Sequence, residues 1–371
     1  MGGGELVRKM WVLGLFMLIL GLMNDHVVVT RAAPQVPCYF IFGDSLVDNG
    51  NNNAVTSLAR ANYRPYGIDF PAGPTGRFCN GRTTTDVIAQ LLGFDNYIPP
   101  YVNARGRQLL TGVNYASAAA GIRDETGQQL GGRISMNGQL RNYLSTVQQI
   151  VNILGSENAA ADYLGRCIYS VGMGSNDYLN NYYMPAFYPS SRQYNPQQWA
   201  DVLAQQYSQQ LRTLYNYGAR KVAVVGVGQV GCSPAEIANF SPNSTQCVAR
   251  INNAIQLFNT RLRSLVDNFN ANLPGAKFIY VNAYAIFEDV VNRASSYGFT
   301  DTKTGCCGVG RNNGQITCLP LQTPCNDRNA HVFWDAFHPT EAVNLIIGRR
   351  SYRAQSSSDA YPVDIQRLAQ L

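Results

Sequence analysis

Histidine is scarce in this chain: there are three among 371 residues, His26, His331 and His338. Any chemistry that needs an imidazole base must draw on one of them. Charged residues are also few, at 14%. The basic ones form neither a run nor an alternation with aromatics, so nucleic-acid binding has no support. Beyond residue 33 no apolar run approaches the ~20 residues that a membrane-spanning helix needs. The pattern G-x-S-x-G is absent, which excludes the strained nucleophile elbow of the α/β-hydrolases. No internal repeat or linker divides the chain, and no retention signal ends it.

What is present begins with an N-terminal leader. Arg8 and Lys9 precede the apolar run Met10 to Met23, and the small residues Ala32 and Ala33 come after it. That run, about 14 residues, is short for a membrane span and reads as a secretory signal cleaved near residue 33. Removing Arg8, Lys9 and Arg31 with Glu5 and Asp25 takes away a net +1, so the formal +6 becomes +5, spread as a slightly basic surface. All nine cysteines lie beyond the leader: Cys38, Cys79, Cys167, Cys232, Cys247, Cys306, Cys307, Cys318 and Cys325. In an oxidising compartment they imply disulfides, with at least one thiol left over. The last four fall in a Gly/Asn/Pro-rich stretch with little core of its own, where staples would order a loop. Cys306 and Cys307 are adjacent and no histidine lies among the four, which argues against zinc; no metal or cofactor is expected. Asn239-Phe240-Ser241 and Asn243-Ser244-Thr245 are N-glycosylation acceptors, and Pro242 makes Asn243 the better one.

The residues from 34 to 371 read as one α/β domain. Tyr39 to Phe42 is an aromatic, β-branched strand ended by Gly43. Further strands are expected at 112–116, 167–171, 221–225 and 278–281. Helices are expected at 83–92, 137–154, 196–217, 247–272, 283–293 and 339–350, with Pro196 in a first turn where its missing donor is harmless. Strands that are apolar on both faces and alternate with helices predict a mostly parallel five-stranded sheet covered on both sides, a three-layer α/β/α fold.

Ligands of such sheets sit beyond the carboxyl ends of the strands, which draws attention to Gly43-Asp44-Ser45. Either Asp44 or Ser45 could simply cap the helix after the strand. Alternatively Ser45 is a nucleophile, and a serine hydroxyl then needs a positioned base that is itself held by a third group. His26 leaves with the leader. In Asp335-Ala336-Phe337-His338-Pro339 a short turn can bring the Asp335 carboxylate to Nδ1 of His338 and leave Nε2 facing out. His331, with Asp327 four residues upstream, is not excluded by the same argument. An acyl-transfer site also needs donors for the developing oxyanion. The N–H of Ser45, the N–H of Gly121 and the side-chain amide of Asn176 are candidates at strand ends.

Three blocks, Gly43-Asp44-Ser45-Leu46, Gly174-Ser175-Asn176-Asp177 and Asp335-x-x-His338-Pro339, resemble in order those of the GDSL esterase/lipase family within the SGNH hydrolases. The longer stretches FIFGDSLVDNGNNN and GPTGRFCNGRTTTDVIAQLLG resemble its plant branch, and the match runs from about Cys38 to Arg350. The resemblance implies a flavodoxin-like fold and a secreted serine esterase or lipase without cofactor. It implies Ser45 as nucleophile, His338 as base, Asp335 as its orienting acid, and Ser45, Gly121 and Asn176 as the oxyanion hole. Where the plant branch commonly has a glycine pair, this chain reads Ala118-Ala119-Ala120-Gly121. The implied partner is a small-molecule or lipid ester, with cell-wall polyester and acylated polysaccharide left open. The implied destination is extracellular, apoplast or cell wall, with the vacuole left open and no membrane anchor after cleavage. An acyltransferase would use the same acyl-enzyme with an alcohol acceptor, and a non-catalytic secreted binding protein is the other alternative. Gly226-Val227-Gly228-Gln229-Val230-Gly231 matches part of a dinucleotide fingerprint. However, Cys232-Ser233-Pro234 gives no clean helix start there, and a tight turn after a strand accounts for the glycines.

Overall fold

The computed structural model describes residues 33–371, together with Gly4 and Arg8. Apart from Gly4, Arg8 and Ala33, the expected leader lies outside the described residues. The strands are β1 (Tyr39–Gly43), β2 (Ile168–Gly172), β3 (Lys221–Val225), β4 (Lys277–Val281), β5 (Asp301–Gly305), β6 (His331–Phe333) and β7 (Ala360–Tyr361). The principal helices are α1 (Thr84–Leu91), α2 (Met136–Leu154), α3 (Glu157–Gly165), α4 (Pro196–Asn216), α5 (Pro234–Phe240), α6 (Ala249–Asn272), α7 (Ala283–Asn292), α8 (Glu341–Tyr352) and α9 (Ile365–Gln370).

Among the described residues the central sheet has five strands in the order β1-β2-β3-β4-β7, the first four parallel and β7 antiparallel to β4. Side chains alternate across it, as period-two geometry requires. Phe40, Phe42, Tyr169, Val171, Val222, Val224 and Phe278 enter one core with Tyr143 of α2, Leu203 and Tyr207 of α4 and Phe258 and Leu262 of α6. Tyr39, Ile41, Ile168, Ala223, Ile279 and Val281 enter a second core with Ile88 of α1, Tyr352 of α8 and Ile365 and Leu368 of α9. The result is three layers. Burying a large aliphatic or aromatic side chain is worth about 1.5–3 kcal/mol, so these two faces supply the main drive to fold.

Local signals explain several helix ends. Thr83 and Asp86 form a reciprocal capping box on α1, and Arg77 holds the Asp86 carboxylate bidentately at 2.7 and 2.8 Å. Asn195 and Gln198 do the same for α4, with Pro196 at its first position. The last predicted helix starts at Glu341 rather than residue 339.

The expected strand at 112–116 is not one. Its backbone does run beside β1: Ile41 donates to Val113, and Tyr115 and Ser117 donate to Ile41 and Gly43. Regular pairing stops at single bridges through Asn114, because the Asn114 side chain takes the N–H of Ala116 and Gly112 turns the chain at φ +109°. The fifth strand is instead the two-residue β7, too short to carry a sequence signal. Helices α3, α5 and α9 and the β5–β6 pair are further elements beyond the expected set. In particular, Ser233 does start a helix: its Oγ accepts from the N–H of Glu236, with Pro234 at the first position of α5.

Four disulfides join Cys38–Cys167, Cys232–Cys247, Cys306–Cys325 and Cys307–Cys318. Cys79 is the free thiol among the described residues, buried and pushed by that burial up to about 12. Cys38–Cys167 ties the starts of β1 and β2 across 129 residues of sequence, a loop whose closure is worth about 5 kcal/mol in the chain-entropy account. The two pairs in 306–325 pin a stretch of loops and short turns, as the sequence implied.

Candidate active site

The strand register sets the site. Gly43 lies opposite Gly172, Gly172 opposite Val225, and Val225 opposite Val281. The parallel strands therefore end in line, and Ser45, Gly174 to Asn176 and the turn from Gly226 emerge from adjacent ends. Beyond β1 the Asp44 carboxylate accepts the N–H of Leu46 at 3.0 Å, so Asp44 caps a turn, and no helix directly follows the strand. Ser45 does no capping: its Oγ lies 2.7 Å from Nε2 of His338. Nδ1 of His338 is 2.8 and 2.9 Å from the two oxygens of Asp335. An ionised carboxylate only accepts, so the ring hydrogen sits on Nδ1 and Nε2 is left to accept from the serine.

Asp335 is wholly buried and held by four further donors. The N–H groups of Phe337 and His338 reach Oδ1 at 2.9 and 2.8 Å. The hydroxyls of Tyr66 and Thr317 reach Oδ2 at 2.5 and 3.1 Å. Burial alone would raise this carboxyl, but the adjacent imidazole and these hydrogen bonds hold it below the usual carboxylate range. Thr317 precedes Cys318, so the Cys307–Cys318 staple helps fix that contact. The Phe78 ring packs on the imidazole at 5.1 Å. His331 and Asp327 are not brought together: the Asp327 carboxylate accepts from Asn329, and Nδ1 of His331 faces Asp301 at 3.9 Å.

The open cleft over Ser45 is lined by His338, Asn176, Ala119, Tyr66, Leu58 and Arg60 among others. Asn176 donates from Nδ2 to the carbonyl of Ala120 at 2.9 Å and accepts from Asn180 at 2.7 Å. Both contacts fix the amide orientation and leave its second N–H for the cleft. Gly174, at φ +133°, cannot carry a Cβ, which would lie 2.9 Å from Phe258 and Val227.

Gly121 does not line the cleft. A Cβ there would meet Thr126 and the Asp177 carboxylate at 2.5 and 2.7 Å, so its α-carbon is packed against its own loop. Ala119 lines the cleft instead, in a left-handed conformation at φ +62°. The N–H groups on either side of it are taken, Ala118 by Asp48 and Ala120 by Ser117, whereas neither Ala119 nor Gly121 spends its N–H on such a bond.

Two buried carboxylates that sequence reasoning missed hold this loop. Asp48 accepts from the N–H groups of Gly50, Asn51, Asn52 and Ala118 at 2.8, 2.8, 3.3 and 3.0 Å, joining the turn after β1 to the Ala118 turn. Asp177 accepts from Ile122, Arg123 and the Thr126 hydroxyl. The amide-rich run Asn49 to Asn53 was the available signal for Asp48; Asp177 stood in the block Gly174-Ser175-Asn176-Asp177, but nothing there pointed to its contacts with Ile122, Arg123 and Thr126. Asp48→Ala would leave four N–H groups without their acceptor and is expected to cost on the order of 3 kcal/mol or more. A urea-denaturation midpoint measures it, and a loss under about 1 kcal/mol would contradict the assignment of Asp48 as the tie between the two loops.

Burial pushes the carboxyls of Asp44, Asp48 and Asp177 up to about 6, and that of Glu236 to about 7. Each binds its proton more tightly folded than unfolded. Its contribution to stability is complete below the ordinary carboxylate range and is lost as pH rises through 6 to 7. Asp335, Asp69 and Asp289 are lowered and act in the opposite sense, but only as pH falls below the ordinary carboxylate range. The melting temperature is therefore expected to be a few °C higher near pH 5 than near pH 8 and to fall again below about pH 4. A scan showing a steady rise from pH 5 to 8 would contradict these shifts.

An α/β/α sandwich with this arrangement at its strand ends has the architecture of an ester hydrolase. Comparison with known proteins makes this specific. The family model "GDSL-like Lipase/Acylhydrolase" matches residues 39–351, and the chain belongs to that family of carboxylic ester hydrolases. The GDSL esterase/lipase At1g29670 of Arabidopsis thaliana is 65% identical over 97% of this chain and 98% of its own length. The GDSL esterase/lipases At5g45670 and At4g18970 of the same plant are 60% and 61% identical, covering 97% and 98% of this chain and 99% and 100% of their own. Among solved structures, a lipase from a goat rumen metagenome aligns with a TM-score of 0.33 and 11% identity over 86% of this chain and 99% of that one.

Proposed function

We propose that this protein is a secreted serine esterase or lipase that cleaves carboxylic esters through an acyl-enzyme on Ser45. The observation that carries the reading is the unbroken relay from Ser45 Oγ through His338 to Asp335. His338 Nε2 takes the serine proton as Oγ attacks the ester carbonyl, and Asp335 steadies the imidazolium that forms. The N–H of Ser45, the free N–H of Asn176 and a backbone N–H of the turn that carries Ala119 and Gly121 receive the charge on the carbonyl oxygen. His338 then gives its proton to the departing alkoxide, and water activated by the same nitrogen releases the acid. Residues 1–33 are a leader removed on secretion, leaving 34–371 as the mature domain. Asn243 and Asn239 are glycosylation sites; both are exposed, Asn243 on a turn after α5 and Asn239 near the end of that helix. Secretion fits the four disulfides. No helix among the described residues is long and apolar enough to cross a membrane.

The test is hydrolysis of p-nitrophenyl esters by the secreted protein, with and without an added primary alcohol. Free acid as the main product in both supports the esterase. Ester formed at the expense of acid would make transfer to an alcohol the main reaction, and no turnover of any ester would overturn the proposal.

A further inference from the structure

Beneath the open cleft lies a second cavity of about 140 Å³, with walls that are mostly apolar. It runs between the carboxyl ends of β1 to β3 and helices α1, α7 and α8. Its far part is lined by Ile88, Phe287, Ile347 and Ile365. It adjoins the cleft over Ser45: Asp44, Leu46, Ser175, Val230 and Phe337 line both. Two of these, Leu46 and Phe337, are large apolar side chains left 39% exposed at the boundary.

The cavity exists because its walls carry little where bulk would be expected. β2 contributes Ser170 and Gly172, and the turn after β3 contributes Gly226 and Gly228. A Cβ on Gly228 would meet nothing within 4 Å. This gives the glycine turn that resembled a dinucleotide fingerprint a different use, since it is wall material for a space with no arrangement of cations for phosphates. Interiors are close-packed, and a mostly apolar cavity of this size is both costly and ready to take hydrocarbon.

We propose that this cavity is the acyl-chain site, and that it takes a long linear aliphatic chain. The proposal rests on the serine-esterase reading above. An ester bound at Ser45 has two arms. The alcohol must leave past His338 Nε2, which protonates it, and that side is the open cleft with Arg60, Thr317 and Asn180 in its wall. The acyl arm stays attached to Ser45 through deacylation and needs shelter, which the apolar cavity on the other side of Leu46, Val230 and Phe337 provides. Transfer of each methylene from water into such a space is favourable, so rate should rise with chain length until the far wall is met.

The experiment compares p-nitrophenyl dodecanoate with p-nitrophenyl acetate for the wild type and for Gly228→Leu and Ile347→Trp, both of which put bulk into the cavity wall. In parallel, dodecanoate binding to Ser45→Ala with and without each substitution is measured by calorimetry. The expected result is a drop of at least tenfold in the dodecanoate-to-acetate ratio of kcat/KM in both variants, with dodecanoate binding weakened to match. A variant that folds poorly lowers both esters together and leaves the ratio alone, so the ratio reads the cavity. An unchanged ratio with unchanged dodecanoate binding would overturn the acyl-site assignment. Absence of any ester turnover, with dodecanoate still bound and still displaced by the substitutions, would overturn the esterase reading and leave the cavity as a fatty-chain site.

Discussion

Ser45→Ala is expected to lower kcat for ester cleavage by at least ~10⁴-fold, because removing the nucleophile of a serine–histidine–aspartate unit abolishes the acyl-enzyme route entirely. The substitution deletes one hydroxyl from a half-buried side chain whose contact is the 2.7 Å bond to His338. The turn around it is held by other groups: Asp44 caps Leu46, and Asp48 gathers the N–H groups of the next turn. The melting temperature should therefore stay close to the wild-type value. Loss of activity with an unchanged thermal transition assigns the serine to chemistry, and retention of even a tenth of the activity would remove it from that role. Binding of a non-hydrolysed substrate analogue should persist, which separates loss of the nucleophile from loss of the site.

Asp335→Asn is expected to cost about 10⁴-fold in kcat, the magnitude seen when this position is changed in other triads. The geometry of this chain says why. Oδ1 of residue 335 must still accept the N–H groups of Phe337 and His338, which forces the new amide nitrogen into the Oδ2 position. There its hydrogens face Nδ1 of His338 at 2.9 Å and favour the tautomer in which Nδ1 accepts, against the 2.8 Å contact to Oδ1 that favours Nδ1–H. In that tautomer the ring hydrogen is on Nε2, and Ser45 faces a donor where it needs an acceptor. Asp327→Asn, by contrast, changes only a turn cap outside this relay and should leave kcat within about twofold. The pair of variants thus decides between the two histidine–aspartate sets that spacing alone left open.

The sequence was most legible where function depends on short-range order. Asp335 and His338 are three residues apart and meet because of that spacing. Ser45 and Asn176 are read off as residues just past glycine-ended strands, and the register of β1 and β2 makes those ends adjacent. The four parallel strands were visible because they are buried on both faces and therefore apolar throughout. Legibility failed where a role depends on long-range contact or on backbone conformation. Tyr66 supports Asp335 across 269 residues of sequence, and no local pattern distinguishes it from the other 21 of the chain's 22 tyrosines. Ala119 is an ordinary alanine until its left-handed φ is known, and the close packing around Gly121 is equally invisible in the local sequence. The two-residue β7 is a strand only because Val281 and Tyr280 pair with it. Ser233-Pro234 carries a sound helix-start signal, a serine cap before a proline, but the neighbouring cysteine and glycines pull the reading toward a loop.

The most direct test of the central claim is covalent. A p-nitrophenyl alkylphosphonate mimics the tetrahedral stage of ester cleavage and leaves its phosphorus on the attacking oxygen. After incubation with the disulfide-bonded protein, peptide mass spectrometry is expected to find one phosphonyl adduct, on the peptide containing Ser45. Labelling should run in step with loss of esterase activity and be absent from Ser45→Ala. An adduct on another residue, or full labelling of Ser45→Ala, would contradict Ser45 as the nucleophile.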